Sequence, residues 1–403
     1  MPPKRKKRTA RSKKPAVSKE QLEQGLAKLR SPEIMYRCAE WAWRDGWTTS
    51  AMLSALSLSR SVPQFHKEVK RTLMRAHRQG VLSINPRKIK PTEVEKLQSR
   101  LESKYNAGKW RPLQFHVVCD EAFNQTNGGS LLDAMAAEII DDAITQLVDD
   151  RRRNSEHDAT DKQQKQLDKK PADHASRTSA AEDPIIITNA GGRVLSSTVA
   201  VLQRRPPLVG EEEDMPKESG LLFVALSDAY VHRRFERSPS FIAVTMAELC
   251  GAPHVALPRA MSDEFKNEHR ELVRNASLVI CGAGTTRGDH YGVPMQLLKE
   301  LGIPVPNDAV GDLAINFLDK QGYPVSLDPR AQRVLEEINP TFSIQLLREI
   351  LEDTGKRVIV ILDAIRAEDK LEISRAILEQ RLATDVVLGT RLAELIVPGR
   401  TRR

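Results

Sequence analysis

The sequence predicts an α/β protein in which a small basic helical unit precedes a larger parallel sheet with helices on both faces. Two observations predict this division. Basic residues are concentrated near the N-terminus, and short apolar segments alternate with helical patterns from residue 185 onward. Uninterrupted apolar segments are typical of strands buried on both faces, as in a parallel sheet. The predicted strands of this part are residues 185–187, 221–226, 278–281, 358–362 and 386–388.

The composition limits the class of protein. With 403 residues, 40% hydrophobic and 29% charged, the chain is long enough for two folded domains and has a globular composition. Aromatic residues make up 4%, which disfavours a base-stacking platform for single strands. No segment is apolar enough for a membrane span or a signal peptide, so we expect a cytoplasmic protein with no membrane partner. The four cysteines and nine histidines lack disulfide or metal-ligand spacing, so we expect no metal and no cofactor.

The net charge of +8 comes from two short segments. Residues 1–19 contain nine basic side chains and no acidic one, and residues 60–90 contain nine more against Glu68 alone. The rest of the chain is net acidic. A basic head on an acidic body is typical of proteins that bind a polyanion such as double-stranded DNA. A tail that only improves solubility would explain the first segment but not the second.

Residues 31–90 show the order of elements of a winged helix-turn-helix. A helix start at Ser31-Pro32 is followed by a short second helix, a polar break and a third helix over about residues 63–79. Residues 81–84 then alternate like a strand and would form the wing. The outer face of the third helix is basic and would contact DNA phosphates and base edges. The predicted DNA-binding residues are Ser59, Arg60, Lys67, Lys70, Arg71 and Arg75.

Composition also predicts the other domain boundaries. We expect residues 1–30 to be a disordered basic tail and residues 91–110 to be a connecting helix. Residues 111–403 would form the α/β domain, with a disordered insertion at 149–183. Leu167 is the only large aliphatic side chain of that insertion, in which Asp, Lys, Gln and Ser predominate. Such a segment buries too little apolar surface to offset the entropy lost on ordering.

Glycine or polar residues follow several predicted strands, at Gly191-Gly192-Arg193, Ser227-Asp228 and Gly282-Ala283-Gly284. In open α/β sheets, the loops beyond the carboxyl ends of the strands form the ligand site. Glycines in these loops allow backbone amides to approach an anion such as a phosphate. Each loop taken alone is equally compatible with close packing and no ligand.

Two stretches of the chain resemble the sugar-binding transcriptional regulators of the SorC/DeoR type. Residues 48–60 align without gaps with the second helix and turn of that family, including its Ser-Arg pair. The C-terminal match is more specific, because residues 309–312 and 317–325 resemble the loop and hairpin beside the effector pocket. Lys370 aligns with the family's lysine at the head of a helix. The resemblance covers nearly the whole chain except residues 1–30 and 149–183.

The resemblance implies a Rossmann-like effector-binding domain for a small, phosphorylated sugar. It also implies a homo-oligomer, a dimer or tetramer, that binds double-stranded DNA in response to this small-molecule effector. The effector-binding residues that it implies are Gly192, Arg193, Ser227, Gly282, Gly284, Asp312 and Lys370.

The chain departs from the family pattern at several of these loops. Arg366-Ala367 replaces two glycines, Val194 replaces a threonine, Leu388-Gly389 replaces a Thr-Asp pair, and Ser227-Asp228 replaces a Gly-Gly pair. Either the effector differs from the usual phosphosugars, or the pocket no longer binds one.

Three functions remain open at this point. The first is a sequence-specific regulator that senses a small metabolite, and the second is a constitutive DNA-binding protein whose sensor domain has lost its ligand. The third is an enzyme like the sugar-phosphate isomerases, which would need an acid and a base in one pocket. No arrangement among the candidate acids and bases is compelling, so we predict no catalytic residue and no enzyme. These candidates are Asp312, Asp363, Glu368 and Asp289-His290.

Overall fold

In this computed structural model the chain divides into two units, Met1–Pro91 and Thr92–Arg403. A parallel sheet forms the centre of the second, larger unit. The structure describes residues 18–30, 63–78, 91–109, 111–118, 131–167, 183–203, 220–227, 235–258, 260–288, 292–363 and 367–398, together with residues 34, 38, 52, 53 and 55–58.

The first unit contains helices α1 (Lys19–Arg30) and α2 (Pro63–Arg78). Leu29 and Phe65 are buried between them. Gly25 permits this close approach, because a Cβ at that position would lie 2.4 Å from Cζ of Phe65. The hydroxyl of Thr72 on α2 donates a hydrogen bond to the carbonyl of Leu29 at 2.8 Å. The two helices therefore share one apolar contact surface.

The prediction that residues 1–30 form a disordered tail is wrong for the segment that forms α1. Leu22, Leu26 and Leu29 recur at helical spacing on the face that packs in the core of this unit. That burial offsets the entropy cost of ordering the segment. The predicted wing at residues 81–84 lies outside the described residues, as does most of the helix predicted to start at Ser31-Pro32.

Nine strands of the described residues build the second unit. They are β1 (Gln114–Val118), β2 (Ile185–Asn189), β3 (Leu221–Ala225), β4 (His254–Val255), β5 (Leu278–Thr285), β6 (Gly311–Leu313), β7 (Asn316–Leu318), β8 (Arg357–Leu362) and β9 (Asp385–Gly389). Seven of them form a parallel sheet in the order β1-β9-β8-β5-β2-β3-β4. The hairpin of β6 and β7 extends β5 in antiparallel fashion. The predicted α/β class with a parallel sheet is confirmed.

Ten helices of the described residues belong to this unit. They are α3 (Pro91–Asn106), α4 (Leu131–Leu167), α5 (Arg193–Leu202), α6 (Pro239–Cys250), α7 (Asp263–Arg274), α8 (Val293–Glu300), α9 (Pro329–Ile338), α10 (Ile344–Glu352), α11 (Ala367–Glu379) and α12 (Thr390–Ile396). A short 3-10 helix, Phe235–Arg237, precedes α6. The predicted connecting helix, α3, buries Leu97, Leu101 and Tyr105 in the core around the sheet. Among the described segments, no helix combines the length and apolarity that a membrane span requires.

The prediction of a disordered insertion over residues 149–183 is wrong for its first half. Helix α4 continues without interruption to Leu167. The added segment is polar all round, but Asp, Arg, Glu, Lys and Gln predominate in it, and most of these are good helix formers. Polarity was therefore a poor guide to disorder here. Residues 168–182 lie outside the described part of the chain.

The turn between β6 and β7 has an uncommon backbone. Ala314 and Ile315, its two central residues, have φ angles of +46° and +72°. Two-residue hairpins of this kind favour Asn-Gly, because both central residues occupy the left-handed region. Asn339 Nδ2 donates to the carbonyl of Ala314 at 3.1 Å, and Ile315 is buried in a cluster with Phe317. The surrounding structure therefore holds a conformation that the local sequence disfavours.

His269 on α7 connects two parts of this unit. It is 1% exposed, its Nε2 lies 2.9 Å from the carbonyl oxygen of Ala225, and its Nδ1 lies 2.9 Å from Oγ1 of Thr341. The carbonyl can only accept, so Nε2 carries the proton and Nδ1 accepts from the hydroxyl. Burial lowers the pKa of His269 to about 4. The folded protein therefore holds this side chain in its neutral form.

We expect the neutral state of His269 to make folding sensitive to mild acid. Below the ordinary pKa of 6.5, His269 binds a proton in the unfolded chain but stays neutral in the folded chain. The free energy of unfolding therefore decreases as the pH falls from 6.5 towards 4. Between pH 7 and pH 5 the loss is about 2 kcal/mol. Denaturant titrations at both pH values should show a smaller loss for His269→Gln than for the wild type. His254→Gln, at an exposed histidine, is the control; equal losses in all three proteins would contradict the assignment.

Candidate functional site

The strand order reverses between β2 and β5. From β2 the sheet continues through β3 and β4 in one direction, whereas β5 lies on the other side and leads to β8 and β9. The loops that leave two such strands diverge to opposite sides and open a crevice at their carboxyl ends. Gly192 and Arg193 follow β2, and Gly282 and Gly284 lie in the last half of β5. The topology therefore brings the first and middle predicted loops together.

Arg193, the first residue of α5, reaches across this edge. Its Nη2 donates to Oδ2 of Asp363, the residue that follows β8. Both side chains are partly exposed, Arg193 at 43% and Asp363 at 29%. Gly192 caps α5 with no side-chain hydrogen bond, and its φ of +114° is a conformation that L side chains rarely adopt. This glycine therefore serves the turn that places Arg193 at the start of the helix.

Lys370 lies in the first turn of α11, on the other side of the same edge. Its Nζ donates to the carbonyl of Ala283 in β5. Burial lowers the pKa of Lys370, while the negative charges of Asp312 and Asp363 act to raise it and the positive charge of Arg193 to lower it. Arg193, Asp312 and Asp363 thus all lie near enough to Lys370 to affect its pKa.

Asp312 in β6 is buried rather than open to this edge. Its Oδ2 accepts a hydrogen bond from the amide of Ile315 at 3.3 Å. Its Oδ1 lies where a Cβ on either Gly284 or Gly292 would come within 1.9 Å. Burial raises the pKa of Asp312 to about 6. The positive charge of Lys370 and the hydrogen bond from the Ile315 amide act in the opposite direction and lower this pKa. Asp312 therefore acts on the edge through the neighbouring ammonium group of Lys370.

The remaining predicted effector residues have different surroundings. A Cβ at Gly282 would lie 2.9 Å from Cγ1 of Val194, so Gly282 allows the start of α5 to pack against β5. Ser227 follows β3 and is 3% exposed. Asp228, Asp289-His290 and Arg366 lie outside the described residues. Close packing thus accounts for Gly282 and Gly284.

Sequence reasoning missed three residues beside this edge. Asn189 ends β2, Ser240 lies in the first turn of α6, and Phe235 begins the 3-10 helix. The side-chain oxygens of Asn189 and Ser240 are buried and have no hydrogen-bond partner. A polar residue at the end of an apolar strand was the one signal that pointed to Asn189. Nothing in the sequence distinguished Ser240 or Phe235.

In the N-terminal unit, α2 places part of the predicted DNA-binding set on one exposed surface. Lys67 and Arg71 are exposed, while Phe65 and Val69 face the core. Glu68 is 2% exposed and pairs with Arg30 at 3.1 Å and with Arg71 at 3.6 Å. Ser59, Arg60 and the side chains of Lys70 and Arg75 lie outside the described part of the chain.

No site for a metal ion is formed by histidine, cysteine or carboxylate groups in the described ranges. Cys38, Cys250 and Cys281 are buried free thiols whose pKa values burial raises to about 11, 12 and 12. Raised thiol pKa values disfavour the reactive thiolate. These three cysteines are therefore packing residues.

Comparisons with known proteins give similarity only at the level of structure. No protein-family model matches the chain, and no curated protein matches it in sequence. Solved DeoR and SorC regulators are similar to this chain. They include a DeoR family transcriptional regulator from Listeria monocytogenes, with 14% identity, a TM-score of 0.47, and coverage of 75% of this chain and 99% of that one. The full-length sorbitol operon regulator SorC from Klebsiella pneumoniae has 14% identity, a TM-score of 0.49, and coverage of 90% and 98%.

A transcriptional regulator from Streptococcus pneumoniae TIGR4 is similar at 14% identity, with a TM-score of 0.44 and coverage of 76% of this chain and 97% of that chain. Each of the three solved chains is covered almost completely.

Proposed function

We propose that this protein is a DNA-binding transcriptional regulator whose α/β unit binds a small, phosphorylated sugar. The observation that carries the proposal is that Arg193 and Lys370 both lie beside the strand-order reversal, where Arg193 contacts Asp363 after β8 and Lys370 contacts the carbonyl of Ala283 in β5. This edge belongs to a different unit from the basic residues. Both residues lie in the first turn of a helix of ten or more residues. The free amides and the dipole of a helix N-terminus favour an anion, and the two cations add charge-assisted hydrogen bonds.

In this proposed anion site, Arg193 forms an ion pair with Asp363. Asp363 neutralises the guanidinium of Arg193. A phosphate would replace that carboxylate. The planar guanidinium can donate two parallel hydrogen bonds to it, which gives specificity for a phosphate. Lys370 contributes a point charge that needs no fixed geometry. Ligand binding therefore exchanges one contact between α5 and the β8 loop for a contact to the ligand.

The basic unit supplies the nucleic-acid half of the proposal. Lys67 and Arg71 project from α2 on the side away from its apolar core, and the segment before α1 adds eight further basic residues. Contacts of such side chains to phosphates give salt-dependent affinity, and contacts to base edges give specificity. We propose a homo-oligomer, dimer or tetramer, whose preferred arrangement the effector shifts.

A mobility-shift series with the full-length chain tests the assignment of DNA binding to α2. The double variant Lys67→Ala/Arg71→Ala should weaken duplex binding about tenfold or more, because it removes two phosphate or base contacts. The slope of the logarithm of the binding constant against the logarithm of salt concentration should fall by about 2. Glu68 keeps Arg30 as a partner in this variant, so the unit retains its buried ion pair.

The matched control is Arg330→Ala/Arg333→Ala, which removes the same charge from exposed positions of α9. It should bind duplex DNA like the wild type. Equal weakening by both double variants would show that only net charge matters, and unchanged binding by Lys67→Ala/Arg71→Ala would place the DNA contact elsewhere. Either result overturns the assignment to α2.

A further inference from the structure

Phe235 is an exposed aromatic residue at the edge where the candidate site lies. Its side chain is 66% exposed, although it begins the 3-10 helix directly before α6. Its ring meets the ring of Phe241 edge-on, with centroids 5.1 Å apart and an interplanar angle of 63°. That contact packs the Phe235 ring against Phe241, while most of the side chain remains open to solvent. The exposed part of an aromatic ring offers an apolar surface on which a ligand can stack.

Backbone contacts join this platform to the anion site. The amide of Gly192 donates to the carbonyl of Arg237 at 2.8 Å, which fastens the end of the 3-10 helix to the residue that caps α5. Arg193 follows immediately and pairs with Asp363. The rim of the strand-end edge therefore runs continuously from Asp363 through Arg193 and Gly192 to Phe235.

Two buried acceptors without partners lie in the same corner. The Oδ1 atom of Asn189, a residue with no exposed surface, has no hydrogen-bond partner, and neither has Oγ of Ser240, a residue that is 7% exposed. The amide nitrogen of Asn189 donates to the carbonyl of Pro239 at 2.9 Å, which places the two unpartnered atoms at the start of α6. An unsatisfied buried polar group costs free energy, so both atoms gain from a ligand that brings hydroxyl groups.

We propose that Phe235, Asn189 and Ser240 form a subsite for the ring of a carbohydrate. The inference rests on the proposed sensor function and adds the residues that select the sugar part of the ligand. A sugar ring in its chair form has an apolar face of C–H groups and a rim of hydroxyls. The phenylalanine ring meets the face, and the amide and hydroxyl side chains meet the rim. None of the three residues carries charge, so the phosphate lies with Arg193 and Lys370 instead.

Measurements of stability distinguish a ligand-binding role of these residues from a purely structural one. Replacing Ser240 by alanine removes an oxygen that has no partner in the free protein, so the variant should unfold at the same denaturant concentration as the wild type or a higher one. Phe235→Ala removes a side chain that is mostly in solvent and should also leave stability nearly unchanged. A loss of ligand affinity without a loss of stability is the result that packing alone does not produce.

Calorimetric titration of the full chain with glucose 6-phosphate and with inorganic phosphate tests the subsite. We expect Phe235→Ala and Ser240→Ala each to weaken glucose 6-phosphate binding at least tenfold and to leave phosphate binding unchanged. Leu301→Ala, at another exposed apolar residue, and Ser374→Ala, at another buried hydroxyl without a partner, are the matched controls. Both controls should bind glucose 6-phosphate like the wild type.

Three results would overturn the subsite. If both variants bind glucose 6-phosphate like the wild type, the ring lies elsewhere and the sensor function stands. If the wild type binds phosphate as tightly as glucose 6-phosphate, no ring subsite exists and only the anion site remains. If the wild type binds neither probe, the subsite and the sensor half of the proposed function both fail, while DNA binding is judged separately by the mobility-shift series.

Discussion

Replacement of Gly284 by alanine should lower the free energy of unfolding of the α/β unit by about 3 kcal/mol or more. The new Cβ would lie 1.9 Å from Oδ1 of Asp312 and 2.7 Å from the Cα of Gly292. Backbone on one side and a buried carboxylate on the other leave no flexible group that can move aside. Equilibrium unfolding in urea measures the loss.

Gly355→Ala is the matched control for this substitution. A Cβ there would lie 3.4 Å from the nearest atom, the Asp353 carboxylate, and the residue has no positive φ. Its effect should be near zero or slightly stabilising, because alanine reduces the entropy of the unfolded chain. The double variant Gly284→Ala/Asp312→Ala should recover part of the loss, since the two side chains are in contact. If Gly284→Ala unfolds within about 1 kcal/mol of the wild type, the packing assigned to Gly284 and Asp312 is wrong.

Removal of the Asp385 carboxylate should cost about 3–5 kcal/mol at pH 7. Asp385 begins β9, is 1% exposed, and accepts hydrogen bonds from Arg357 Nη2 at 2.7 Å and Thr384 Oγ1 at 2.7 Å, with His116 Nε2 at 3.3 Å. Burial alone would raise the pKa of Asp385, but these hydrogen bonds and the Arg357 charge lower it to about 2. Asp385→Ala leaves the guanidinium of Arg357 without its carboxylate.

The pH dependence distinguishes this ion pair from simple packing. A pKa lowered from 3.8 to about 2 means that the charged carboxylate stabilises the fold above pH 4, and that this contribution is lost as the pH falls towards 2. It amounts to roughly 2.5 kcal/mol. The difference in unfolding free energy between wild type and Asp385→Ala should therefore shrink on acidification. The control Asp263→Ala, at a side chain 97% exposed, should change stability by less than about 1 kcal/mol at every pH. A constant wild-type-to-Asp385→Ala difference from pH 7 to pH 3 would contradict the assignment.

The parallel sheet could be predicted because most of its strands coincide with short, uninterrupted apolar segments of the sequence. Residues 278–281 and 358–362 are almost wholly buried in the structure, and a segment buried on both faces has no room for polar alternation. The loop at Gly192-Arg193 was selected by the same reasoning, because it follows a predicted strand, whereas Lys370 was selected by the family resemblance. What sequence alone could not give was the partner of each cation, because Asp363 and Ala283 reach them only through the order of strands in space.

Other features depended on tertiary contacts that no local pattern encodes. Helix α1 forms because its leucines meet α2, and a window restricted to residues 1–30 shows mainly charge. The glycines of β5 fit a phosphate loop and a packing contact equally well in sequence, and only the position of the Asp312 carboxylate distinguishes the two. The lack of a partner for Ser240 Oγ is a property of the assembled corner, so it had no counterpart in the sequence.

The turn at Ala314 and Ile315 has a consequence for the order in which the α/β unit folds. A β-branched residue at a φ of +72° gives the segment from β6 to β7 little tendency to close on its own. The contacts that hold it come from residues distant in sequence, namely Asn339 and the apolar side chains around Ile315. Bringing residues that are distant in sequence together costs loop entropy before their contacts form. Pairings of this kind therefore form slowly. We thus expect the hairpin to form after β5 and α9 are in place, as a late step that completes the region beside Asp312.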